Sequence, residues 1–255
     1  MPLTTLPGDP LPLPSPPLSP PPPLPVPPPA AAPAATPAWV AAIGLGFAVT
    51  SGNTDTSTLN VSIDLSSRAK ARNVFKADML YLRGEQDGDL NINRLSVRAR
   101  DEYTGLHAGR GYAFGQVEYL SDTFKDIEFL VAPAVGLGFK IRDTAGLAFA
   151  FDAGLGIKVE KSMLRRVQSS GAVTAAQRFL RKLSDHATIT ESLAALWAVD
   201  RSDDALYTFK AGLTADLTRR SQVKLEVIDL YKTRPPATTV VKNDVSFVTS
   251  VVYKF

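Results

Sequence analysis

From Trp39 to the last residue, apolar side chains recur on every second position, and turn-forming residues interrupt the pattern every 10 to 15 residues. A period of two sends successive side chains to opposite faces of an extended chain, so this stretch is built for β-sheet. In Trp39–Val49 every odd position is apolar, while Ala42, Gly44, Gly46 and Ala48 occupy four of the even ones. Beyond the turn Ser51–Asp55, Leu59, Val61, Ile63 and Leu65 alternate with Thr58, Asn60, Ser62, Asp64 and Ser66. The same beat returns in Ile127–Phe139, Leu147–Val159, Tyr207–Leu217 and Val245–Phe255.

Dividing the chain at its turns predicts twelve strands, at 39–50, 56–67, 73–83, 92–103, 110–120, 126–140, 145–159, 170–182, 186–199, 204–218, 221–232 and 243–255. An even number returns an up-and-down barrel to the side on which it began, as bacterial single-chain membrane barrels do. The connections also sort by length. Arg68–Arg72, Thr104–Gly109, Ile141–Thr144, Leu183–Asp185 and Arg219–Arg220 share one side, and the longer Gly84–Asn91, Glu160–Ser169 and Lys232–Lys242 face the other. Short periplasmic turns opposite longer outer loops give the expected orientation.

A water-soluble barrel or sandwich also shows period two, with its apolar face turned inward. That reading exposes the Gly and Ala face of the first, sixth and seventh strands to water, where polar residues are the rule. Strands of 11 to 15 residues exceed the ~5 to 6 of ordinary sheets but cross ~30 Å of hydrocarbon when tilted. Aromatic residues near strand ends, among them Trp39, Tyr81, Tyr103, Tyr119, Tyr231, Tyr253 and Phe255, suit girdles at two lipid–water interfaces. The expected fold is therefore an all-β, twelve-stranded antiparallel up-and-down transmembrane barrel spanning residues 39–255.

Residues 1–38 read differently. Pro2 to Pro37 holds 17 of the 20 prolines and one charged residue, Asp9. Proline fixes φ and removes the amide donor, so a disordered or polyproline-II segment is expected, reaching roughly 110 Å if extended. It has no Lys or Arg near Met1 and no Pro-free apolar core of the signal-peptide kind, although Ala30–Thr36 would suit a cleavage region. The expectation is a misassigned or truncated start; the second reading is a periplasmic spacer.

The closing run Val251-Val252-Tyr253-Lys254-Phe255 resembles the C-terminal insertion signal of bacterial outer-membrane barrels, with Val251, Tyr253 and Phe255 as its signature positions. Together with Gly44-Leu45-Gly46-Phe47, Ser51-Gly52-Asn53-Thr54-Asp55-Thr56 and Pro133–Phe139, it makes residues 39–255 similar to the YdiY-like family of salt-induced outer-membrane proteins. The resemblance implies a Gram-negative outer-membrane barrel of undefined molecular activity. Its expected partners are outer-membrane lipid, lipopolysaccharide and the barrel-assembly machinery.

Parity places Asp64, Lys76, Asp78, Arg94, Arg98, Arg100 and Glu102 inside the barrel. Folding about residue 70 sets Asp64 opposite Lys76, and folding between 87 and 88 brings Asp78 near Ser96 or Arg98. Four positive against three negative groups describe either a salt-bridged plug or a charged constriction for small anions or zwitterions. Opposite them, Gly and Ala of the sixth and seventh strands form a floor over which long side chains of the charged wall can lie. Arg165, Arg166, Arg178 and Arg181 lie in Lys161–Leu183, which reads as a solvated loop continuing into the strand at 170–182; the second reading is an outer loop contacting anionic lipopolysaccharide. In Ala187–Val199, Glu191 shares a face with Ile189, Leu193 and Trp197, which points to a bulge.

Catalysis has little to draw on. There is no Cys, and His107 and His186 both fall at expected turns, so no base sits beside a lumen serine. Twenty-eight basic against 25 acidic residues argue against a nucleic-acid partner. The expectation is a non-enzymatic barrel without cofactor or metal, envelope-structural or stress-related, with a largely plugged lumen. The alternatives are a narrow pore for ions or small polar solutes and, more remotely, an outer-membrane hydrolase.

Overall fold

A computed structural model describes residues 39–50, 56–67, 73–163, 166–201, 203–235, 240 and 242–255. The Pro-rich segment and the turns at 51–55 and 68–72 lie outside these residues. Twelve strands are present: β1 (Trp39–Thr50), β2 (Thr56–Ser67), β3 (Asn73–Gln86), β4 (Asp89–Leu106), β5 (Gly111–Asp122), β6 (Ile127–Asp143), β7 (Leu147–Lys161), β8 (Gln168–Lys182), β9 (Ala187–Ala198), β10 (Ala205–Asp216), β11 (Ser221–Lys232) and β12 (Asn243–Lys254). Each pairs antiparallel with its sequence neighbours, and β1 pairs with β12 to close the barrel. Both ends of the barrel chain therefore lie at one rim, here called the terminal rim; the opposite one is the distal rim.

The alternation sorts the faces as expected. Phe47, Val135, Leu155 and Phe247 point outward with 71%, 68%, 66% and 78% of their surface exposed, and Leu45, Leu137, Leu213 and Val251 share that face. A predominantly apolar band around a closed sheet is incompatible with water and matches hydrocarbon. Closure supplies every strand with partners on both sides, which lipid cannot do. The fold is a transmembrane β-barrel. Trp39, Phe75, Tyr103, Tyr253 and Phe255 lie toward the terminal rim, and Tyr81, Tyr119, Trp197, Tyr207 and Tyr231 toward the distal one.

The seam is short. β1 and β12 pair only from Ala42–Leu45 against Val251–Lys254, with the Phe255 amide donating to the Ala41 carbonyl at 2.9 Å. Just past its end, Asn60 of β2 reaches across Gly46, and its Nδ2 donates to the Thr249 carbonyl at 3.2 Å. A Cβ on residue 46 would collide with that carbonyl and with the Asn60 amide. Glycine there lets a side chain from the next strand satisfy a buried carbonyl that the seam leaves over.

Four expectations need correction. The outer loop Gly84–Asn91 is instead a continuation of β3 and β4 around Asp87-Gly88, both at positive φ (53° and 86°). Asp-Gly accepts that backbone, so a two-residue hairpin suffices. The outer-loop alternative for Lys161–Leu183 fails for Arg178 and Arg181, which belong to β8 as the predicted strand at 170–182 has them; Arg166 lies in the distal connection, and Arg165 falls outside the described residues. No bulge interrupts β9, whose register runs unbroken against β8 and β10. Glu191 therefore stays on the outer face, where Gln177 Nε2 donates to it at 2.8 Å. Finally, Ile127 is fully buried, because the register slips by one between β5 and β6 and so reverses its face.

Candidate functional site in the barrel lumen

All seven charged residues assigned to the lumen occupy the inward face of β2, β3 and β4, but they do not form one cluster. Asp64 sits opposite Asp78 rather than Lys76, which pairs in register with Ser66 and Arg100. The β2–β3 hairpin folds one residue later than expected, which moves every partner by two. Asp78 faces Arg98, whose guanidinium donates to its carboxylate at 2.8 Å. Asp64 has neither a hydrogen bond nor an ion pair among the described residues; it feels Lys224 and Lys210 only at longer range.

On the terminal-rim side of the bore Arg100 and Glu102 anchor a buried network. Arg100 Nε donates to Glu102 at 2.8 Å and Nη2 to Asp152 of β7 at 3.0 Å, while Nη1 donates to Gln116. Arg178 of β8 bridges Glu102 and Asp152 at 3.1 and 3.0 Å, and Lys76 reaches Glu102 at 2.8 Å. The Tyr112 hydroxyl donates to Asp152 at 3.0 Å and accepts from Arg178 at 2.9 Å. β4 and β8 stand four strands apart around the wall. The Arg178–Glu102 contact must therefore cross the bore.

The glycine floor is covered by rings of β5, not by the charged wall. A Cβ on Gly138 would fall on Tyr112, and one on Gly136 or Gly154 would meet Phe114. Both rings are buried, and the Arg100 guanidinium lies 3.8 Å from the Phe114 ring centre. Small residues on β6 and β7 thus let two rings lie flat, and the rings support a cation.

Toward the distal rim the lumen becomes apolar. Leu120, Ile127, Leu130, Ala132, Ala172, Leu196, Leu206 and Leu230 pack into one cluster contributed by β5, β6 and β8 to β11. Leu80 and Leu82 of β3 pack with Ile228 of β11 and Val248 of β12 in a second. Arg94 binds Asp122 at 2.6 Å and Asp244 of β12 at 2.7 Å; both Arg94 and Asp122 are almost wholly buried. Lys158 of β7 binds Glu160 at 3.0 Å and Asp204 at 2.7 Å, and Lys232 of β11 binds Glu160. Of these contacts, Arg94–Asp244 and Lys232–Glu160 join strands that are not neighbours in the sheet.

Toward the terminal rim the lumen opens into a cavity of about 640 Å³, walled by residues of β2 to β11 that include Lys76, Arg98, Arg178, Lys210 and Lys224. Lys140 meets Asp143 at 2.8 Å and Lys224 meets Glu226 at 3.0 Å on its wall. Smaller spaces of about 100 and 50 Å³ lie between it and the leucine clusters.

Sequence reasoning missed the acceptors Asp122, Asp152, Asp204 and Asp244 and the whole inward leucine set. The signal for the latter was present: Met79–Leu82, Phe129–Val131 and Leu193–Trp197 are apolar on both parities, the mark of a strand buried on two faces. Val251, Tyr253 and Phe255 all face outward at 56%, 42% and 68% exposure. His107 closes a 3₁₀ turn and His186 an exposed turn, both at the terminal rim and remote from any lumen serine pair. Among the described residues no group of three or more His, Asp or Glu could hold a metal ion.

Comparison with known proteins adds the following. No curated protein matches the chain. Among solved structures it is similar to a KdgM porin determined in complex with disordered oligogalacturonate, at 10% identity and TM-score 0.43, over 85% of this chain and 99% of that one. It is similar to a NanC porin at 11% identity and TM-score 0.46, over 85% and 97% of the two chains. The translocator domain of the autotransporter NalP from Neisseria meningitidis matches at 12% identity and TM-score 0.46, over 85% and 88%. At the level of sequence, residues 43–255 match the family model described as "Protein of unknown function, DUF481", and the chain belongs to that family.

Proposed function

We propose that this protein is a non-enzymatic outer-membrane barrel whose lumen is sealed toward the distal rim and ends there as a blind vestibule open at the terminal rim. The observation that carries this reading is the leucine cluster: side chains of β5, β6 and β8 to β11 meet one another inside the bore. A water-filled passage would have to part apolar contacts worth roughly 1.5–3 kcal/mol for each buried leucine. It would also have to strip Arg94 from Asp122 and Lys232 from Glu160, leaving charges unpaired in a dry site. The envelope role is structural or stress-related, with outer-membrane lipid, lipopolysaccharide and the assembly machinery as partners. Outward-facing Val251, Tyr253 and Phe255 are the segment offered to that machinery.

The test is conductance in planar bilayers. The folded full chain is expected to give no current steps at any applied voltage. A variant with Leu130, Leu206 and Leu230 all changed to Gly is expected to give steps, since it removes the centre of the cluster while keeping the wall. Steps from the unaltered chain would contradict the sealed reading and favour a narrow pore.

A further inference from the structure

The vestibule wall is charge-matched in detail, with three exceptions. Lys76, Arg98, Lys140, Arg178 and Lys224 each touch a carboxylate. Asp64 and Lys210 both line the same cavity and have no hydrogen bond or ion pair among the described residues. They stand on β2 and β10, four strands apart across the bore. Lys210 also reaches the smaller space beneath, so it stands near the closed end. Arg142 is likewise without a partner; it stands one residue from the terminal-rim end of β6, at the mouth.

We infer that the vestibule binds a small zwitterion, with its ammonium on Asp64, its carboxylate on Lys210 and an apolar linker between them. A cavity of about 640 Å³ lies inside the usual size range for small-molecule sites, about 300–1,000 Å³. The same cavity is also lined by Leu80, Ala148, Ala150 and Leu180, which suit methylenes. A ligand with one charge satisfies one of the two groups and leaves the other unmatched. A zwitterion makes two charge-assisted hydrogen bonds and adds no net charge to an already balanced wall. This inference rests on the blind-ended reading of the lumen, because a through-passage would carry such a molecule instead of retaining it.

The test is isothermal titration of the folded full chain in detergent with a ladder of ω-amino acids, from β-alanine through γ-aminobutyrate to ε-aminocaproate. Butyrate and butylamine serve as single-charge controls. One rung of the ladder is expected to bind saturably and at least about tenfold more tightly than either control, a difference of about 1.4 kcal/mol. Asp64→Asn and Lys210→Gln are each expected to weaken it by a similar factor, and Arg142→Gln to leave it unchanged. Neither of the first two removes a direct ion pair, so both variants should fold; heat-modifiable migration on gels checks this. A flat isotherm across the ladder overturns the inference, as does a control binding equally well, or an Asp64→Asn or Lys210→Gln variant that binds as tightly as the unaltered chain. The bilayer recording on the same preparation separates the two ideas. A flat isotherm with a silent bilayer sinks the zwitterion site alone, and current steps sink the sealed reading.

Discussion

The two halves of the lumen are made by the same twelve strands and obey opposite rules. Toward the terminal rim the wall is charged and open, and beside the buried Arg100–Glu102–Asp152 network it carries a half-exposed pair: Arg98 and Asp78 keep 37% and 26% of their side-chain surface. At the distal rim leucines meet across the axis, and Arg94 and Asp122 keep 5% and 2%. Identical ion-pair chemistry therefore carries different weight. In the wet half water replaces a lost partner cheaply, whereas in the dry half a lost partner leaves a buried charge. The barrel is a lipid-facing shell around a small protein-like core, with a cup beneath it.

The sharpest way to break that contrast is to remove one arginine from each half. Arg94→Ala strands Asp122 and is expected to destabilise the barrel by about 3–5 kcal/mol. Arg98→Ala is expected to cost less than about 1 kcal/mol. Urea unfolding from lipid vesicles measures both, and equal shifts would mean the halves do not differ in hydration. Next in size, Leu206→Ala in the distal cluster is expected to cost about 2–5 kcal/mol, as buried leucine truncations do. At the boundary, Gly138→Val drives a side chain into the Tyr112 ring and is expected to cost about 1–3 kcal/mol by overpacking. Loss of tyrosine near-ultraviolet dichroism would accompany it.

The smallest expected effect is a pH dependence at the distal rim. Lys125 lies in the turn after β5, and burial pushes its ammonium below the usual lysine range, against the pull of Asp244 and Asp122. The unfolded chain then holds a proton that the folded one releases, between the lowered value and 10.5. Stability therefore rises with pH through that window and is lost as pH falls through the folded value. Lys125→Met is expected to flatten the unfolding midpoint across that window, and an unchanged slope in the variant would show that Lys125 is not its source.

Much of the architecture was legible because the lipid-facing side repeats with few exceptions, Glu191 and Ile127 among them. Phe47, Leu137, Leu213 and Phe247 kept their parity, and the β2 and β11 boundaries fell where the turns placed them. The inward face was legible only for its charges. Asp64 through Glu102 read as interior by parity alone, but Asp152, the partner of Arg100, and Asp244, a partner of Arg94, come from strands distant in sequence, and no local pattern encodes a contact across the bore. The leucine half was hidden for a different reason: alternation fails when both faces are apolar. The Ile127 and Asp64 errors share a cause, since a one-residue change in a turn reverses a face or moves a partner by two.

The central claim, that one half of the bore is dry and the other wet, is best tested by reactivity toward a charged, water-soluble thiol reagent. The chain has no cysteine, so a single introduced thiol reports on its site alone. Thr190→Cys, on the vestibule wall, is expected to be modified rapidly in the folded barrel, and Leu206→Cys only on unfolding. Comparable rates at the two positions would contradict the account.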